Sequence, residues 1–139
     1  MLRRPSDRGS ALMLMPAAVL ILLVLGALAV DSAIVWSAQR ELANRAAAAA
    51  NDIAATAVDD EAFYQRGEVK LDEAVARRVA DAITVADGGL RSVIVDDVTV
   101  SGREVRVALR GTVRRLFGPA VGQRGRERTV YASATAVAR

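Results

Sequence analysis

Between Ser10 and Val30 the chain runs for 21 residues without a charged side chain. Wound as an α-helix that stretch is roughly 32 Å long, which matches the ~30 Å hydrocarbon core of a bilayer. A helix in the core of a water-soluble domain rarely carries so long an uncharged run, because one of its faces has to meet water. Pro16 lies about two turns in and should kink or loosen the first part, which lipid-embedded helices tolerate better than soluble ones. Trp36 follows the run at a position that suits an interfacial aromatic. Ahead of the run stand Arg3, Arg4 and Arg8 against Asp7. The positive-inside tendency therefore predicts a cytoplasmic start and an extracytoplasmic remainder, anchored in the cell membrane by one span.

A cleaved secretory signal is the alternative, because Ala27-Leu28-Ala29 has the small-residue pattern of a cleavage site. It would release an envelope-bound binding module that begins after Ala29. Two features favour a retained anchor. The run exceeds the roughly 7–15 apolar residues of an ordinary signal, and helix-forming sequence continues from Asp31 to Ala57 without a break.

From Ala33 to Val58 there is neither Pro nor Gly, and Ala46 to Ala50 are five consecutive alanines. Alanine has the highest helix propensity, so the helix should extend beyond the membrane and end near Asp59-Asp60-Glu61. Leu42, Ala46, Ala49, Ile53 and Ala57 recur at helical spacing and form one apolar seam. Its small side chains would let a partner approach closely, either another membrane helix or the chain's own C-terminal part. Asp31 closes the apolar run, either as an interfacial stop or as a contact for a basic group on a neighbouring protein.

The remainder predicts a small α+β module. Asp72 can cap a short helix to about Ala86, with Val75, Val79, Ala82 and Ile83 as its apolar stripe and Gly88-Gly89 after it. Val93–Val100 reads as a strand whose apolar phase shifts at Asp96-Asp97, suggesting a bulge. Ser101-Gly102 supplies a hairpin turn. In a second strand, Glu104–Val113, Val105, Val107, Leu109 and Val113 face one way and Arg106 and Arg110 the other. Arg114–Arg126 reads as a loop anchored to the core by Leu116 and Phe117. A third strand, Arg128–Val137, places Ala132, Ala134 and Ala136 on one face, where a helix could lie close. The expected architecture is a transmembrane helix continuing into a long Ala-rich helix, then a short helix and a three-stranded antiparallel sheet. The expected divisions are a cytoplasmic segment 1–9, a transmembrane helix 10–36, an Ala-rich extension 37–60 and an extracytoplasmic module 61–139.

Composition narrows the chemistry. The 139 residues include no Cys and no His, which excludes disulfides, Cys or His metal sites and Ser-His or Cys-His catalysis. No Gly-rich phosphate-binding fingerprint is present. Asp59-Asp60-Glu61 and Asp96-Asp97 are adjacent carboxylates with no acid–base partner and no EF-hand loop around them. The chain is therefore expected to be no enzyme and to need no cofactor or metal. Charge is split: Asp52–Asp97 holds 11 acids and 5 bases, whereas Arg103–Arg139 holds 9 bases and 2 acids. Either the two halves neutralise each other, or Arg110, Arg114, Arg115, Arg124, Arg126 and Arg128 form a basic face for an acidic partner. A net charge of +3 and an extracytoplasmic location both argue against nucleic acid.

Arg8-Gly9-Ser10, the apolar run, Ala29-Val30-Asp31, Gln39-Arg40-Glu41-Leu42 and the Ala-rich stretch with Asp52 occur in an order that resembles the N-terminal signature of TadE/TadG-like proteins. Leu116-Phe117-Gly118 and the closing Thr129-Val130-Tyr131-Ala132-Ser133-Ala134 are similar to the family's C-terminal part. The resemblance implies a component of the tight-adherence (Flp-type) pilus assembly machinery of bacteria. It would be a minor pilin-like or accessory subunit that contacts other assembly or secretion proteins by helix packing. Gly9, Pro16, Asp31, Trp36, Leu42 and Ile53 would serve anchoring and packing. Prepilin-like members carry a Glu five residues beyond a processed Gly; here Leu14 stands at that position after Gly9, which fits an uncleaved, TadG-like anchor.

Overall fold

The computed structural model describes residues 8–67, 69–82, 89–122 and 124–138. Arg3, Arg4 and Asp7, together with Ile83, Ala86 and Gly88, lie outside the described residues. The order is α1 (Arg8–Thr56), α2 (Asp60–Arg66), α3 (Glu73–Asp81), β1 (Leu90–Ser101), β2 (Glu104–Arg114), the 3-10 turn η1 (Gly118–Val121) and β3 (Glu127–Val137). The fold is α+β, with the strands antiparallel in the order β1-β2-β3.

One helix of 49 residues, α1, contains both the apolar run and the Ala-rich stretch, and helical backbone continues through Pro16. Its first part is long and apolar enough to cross a membrane. From Leu14 to Gly26 every side chain is exposed. Beyond Val30 burial becomes periodic. The seam Leu42, Ala46, Ala49, Ile53 and Ala57 is fully buried, joined by Ala38, Ala50 and Ala54.

That seam lies on the chain's own sheet, chiefly across β2 and β3. The inward side chains of β2 are Val105, Val107, Leu109 and Val113. Val130 and Ala136 on β3 are buried, with Ala132 and Ala134 packed at the core margin. Gly111 takes the inward position where the alternation would place another branched residue. A Cβ there would come 3.0 Å from Leu90 Cδ2 and 3.5 Å from Leu42 Cδ1. The tight approach is to β1: a Cβ would also come 3.3 Å from Ser92 O, so the missing side chain makes room chiefly for Leu90, with Leu42 seated over the same gap at ordinary contact distance. The Ala-rich extension is thus one layer of the module's core.

The short elements adjust the sequence expectations. Asp72 does cap α3, its Oδ1 accepting from Ala74 N–H at 2.7 Å and Val75 N–H at 3.2 Å. The helix ends at Asp81, however, and its buried face is Ala76 and Ala80, with Val75 and Val79 only half-buried and Ala82 exposed. α1 stops at Thr56, short of the acidic cluster. Asp60 and Glu61 instead open α2. An isolated antiparallel bridge between Val58 and Leu71 closes the base of that excursion.

The bulge expected at Asp96-Asp97 is present: the β1–β2 register shifts between Val95 and Asp97. The β1–β2 turn has Gly102 at φ +61°, the backbone a two-residue hairpin needs at its first turn position. Leu71 N–H donates to Gly102 O, and Asp72 N–H donates to Ala57 O. The hairpin therefore sits at the far end of α1. From there β2 runs back along the helix and delivers the β2–β3 loop to the end that adjoins the apolar run.

Candidate functional site

Asp31 is the one buried charged side chain among the described residues, at 5% exposure. It occupies the first position after the uncharged run, on the helical face that continues into the seam. Burying a carboxylate is costly unless hydrogen bonds replace its water. Here the replacement comes from the backbone of the β2–β3 loop, 85 positions along the chain. Leu116 N–H donates to Oδ1 at 2.8 Å, and Phe117 N–H reaches both oxygens at 3.1 Å. The Gly118 N–H and the charge of the Arg115 guanidinium also favour the carboxylate.

The local sequence explains why these amides converge. Residues 116–118 lead into η1, with Phe117 at its N-cap and no side chain of its own capping the turn. The amides of Leu116 and Phe117 precede the turn and have no partner within it, which leaves them for an outside acceptor. Asp is short and offers two oxygens, which suits two or three N–H donors. Arg115 closes the neck of the loop: its N–H donates to Arg126 O at 2.7 Å. Its guanidinium donates to Arg124 O at 3.2 Å and Gly125 O at 3.0 Å. Ser32 returns its hydroxyl to Leu28 O at 2.7 Å, so the helix beside the latch keeps its own polar groups paired.

The result is a carboxylate latch that fastens the sheet module to α1 where the apolar run ends. Within the chain, the oxygens of Asp31 accept from the amides of Leu116 and Phe117. The expectation that Leu116 and Phe117 anchor the loop through their side chains is corrected. Their amides do the anchoring, while the side chains are 61% and 41% exposed.

The other predicted residues separate into groups. Leu42 and Ile53 are core. Pro16 and Trp36 are exposed on α1, Trp36 with the Arg40 guanidinium 5.7 Å from its ring centre. Gly9 lies in the first turn of α1. Arg110 departs from the expected basic face: it sits on the outer surface of the sheet, 3.6 Å from Asp96. Arg115 belongs to the latch. Arg114 and Arg126 flank a hollow beside Leu116 and Pro119. Arg128 lines another, of about 220 Å³, with Leu28, Asp31, Trp36 and Arg115.

Two features of the site and its supporting sheet escape the sequence reading. The amides of Leu116 and Phe117 carry no side-chain signal at all. Gly111 did carry one, as the single interruption in the inward alternation of β2. No family model, curated protein or solved structure matches the chain.

Proposed function

We propose that the chain is a membrane-anchored accessory or minor pilin-like component of a tight-adherence (Flp-type) pilus assembly or secretion apparatus. Its start is cytoplasmic and its α+β module lies outside the membrane. The observation that supports this reading best is the division of α1. One unbroken helix is covered on one face by the module beyond Val30 and has its apolar side chains uncovered before it. Uncovered apolar surface on this scale needs lipid or other helices around it. Because the Ala-rich seam is occupied by the chain's own sheet, contacts with assembly partners fall to the membrane segment and the outer faces of the module. The mechanism is mechanical: the span holds the subunit, and the latch fixes the module's attitude at the membrane surface.

Fractionation and mass spectrometry of the mature chain test the anchor. The expected result is recovery in the membrane fraction, resistant to alkaline extraction, with a start at Met1 or Leu2. A soluble product starting at Val30 overturns it in favour of a secreted envelope-binding module. Deleting the gene should remove or reduce surface pili, and normal piliation would remove the assembly role while leaving the anchor intact.

A further inference from the structure

The latch places two large apolar side chains and several arginines where a bilayer surface would be. The uncharged run is roughly 32 Å long against a ~30 Å hydrocarbon core, so Val30 falls at the core's edge and Asp31 in the headgroup layer. Asp31 holds the amides of Leu116 and Phe117 directly, so these residues share its level. The orientation of β2 agrees: the hairpin at Gly102 is tied to the far end of α1 through Leu71 and Asp72, which leaves the β2–β3 loop facing the membrane. Leu116 and Phe117 are large apolar residues left outside the core. Around them stand Arg114, Arg124, Arg126 and Arg128, all exposed. Among the described residues no carboxylate pairs with any of the four. Arg128 shares its hollow with Leu28, a residue of the apolar run itself.

We propose that the β2–β3 loop is a lipid-binding foot: Leu116 and Phe117 enter the bilayer interface while Arg114, Arg124, Arg126 and Arg128 bind the phosphates of anionic phospholipid headgroups. Apolar side chains supply insertion, and each arginine near an anionic surface adds attraction that falls off within about a Debye length, ~8 Å in physiological salt. The foot gives the module a second hold on the membrane beside the span. The proposal rests on the membrane-anchored reading above and adds a lipid class to it.

The full chain, reconstituted in phosphatidylcholine vesicles with or without phosphatidylglycerol, provides the test. With the background Trp36→Phe, the substitution Phe117→Trp puts the single indole in the loop. The indole should be blue-shifted and quenched by shallow spin-labelled lipid. Labelled phosphatidylglycerol should quench about twofold more than labelled phosphatidylcholine, through enrichment of anionic lipid at the arginines. Replacing the four arginines by glutamine should abolish that preference.

Because the chain has no cysteine, Leu116→Cys offers a unique site for a nitroxide and an independent depth measurement. It should be more accessible to oxygen than to a water-soluble nickel reagent. An indole with water-like emission together with a nitroxide open to nickel overturns the proposal. Equal quenching by the two lipids overturns the headgroup part, and so does a preference that survives the arginine changes. A chain that fails to float with vesicles overturns the anchored reading itself, whereas one that floats with its loop in water defeats only the foot.

Discussion

The two halves of α1 share a backbone and an apolar character but differ in how their side chains are arranged. From Leu14 to Leu25 the large residues, among them Leu20, Leu22, Leu23 and Leu25, are distributed all round the helix and all are exposed. After Asp31 the apolar residues narrow to a stripe, and that stripe is buried. A helix apolar all round has to be surrounded, whereas a helix apolar along one stripe needs only a sheet beside it. Asp31 stands at the change, and the only buried charge among the described residues lies there because that is where the sheet layer begins.

The difference can be broken most forcefully in the seam. Leu42→Ala removes a fully buried side chain seated over Gly111 and should destabilise the module by about 2–5 kcal/mol, the cost of a core cavity. Leu22→Ala, in the exposed half, should leave the module's unfolding unchanged. Thermal unfolding of the full chain in detergent, followed by circular dichroism, compares the two. No loss from Leu42→Ala would mean that the module's stability does not depend on the seam, and an equal loss from both would erase the difference between the two halves.

The boundary itself is sharpened by Asp31→Asn, which keeps the shape but removes the charge and one acceptor oxygen. The loop should loosen without unfolding the sheet. Hydrogen exchange at the Leu116 and Phe117 amides should accelerate by roughly tenfold or more, with β2 protection retained. Unchanged exchange at these amides would show that the latch contributes nothing to holding the loop. A smaller effect is expected from Asp72→Ala. Loss of this N-cap should cost about 1 kcal/mol and appear as fraying of α3 alone, readable from amide exchange at Ala74 and Val75.

Much of this arrangement is legible along the chain because it follows from periodicity. The seam from Leu42 to Ala57 could be read from helical spacing, and the alternation of β2 from the two-residue repeat of a strand. Even the bulge at Asp96 announces itself as a slip of apolar phase. α2 was missed because seven residues with Phe63 and Tyr64 exposed leave no buried stripe to recognise. The alternation of β2 already places Arg110 with Arg106 on the outer face; what charge along the chain does not reveal is its ion pair with Asp96.

The sequence by itself determined the helix, its uncharged length, the seam and the strands, since each is a property of neighbouring residues and of the period at which they repeat. Only the tertiary structure decided what the seam packs against and what Asp31 binds. Leu42 meets Gly111, and Asp31 meets the amides of Leu116 and Phe117, through contacts between residues far apart in sequence. On one side of the latch the chemistry is backbone, which every residue but proline offers equally. No local pattern can mark such a partner; it exists only once β2 has run the length of the helix and returned the loop to the place where the apolar run ends.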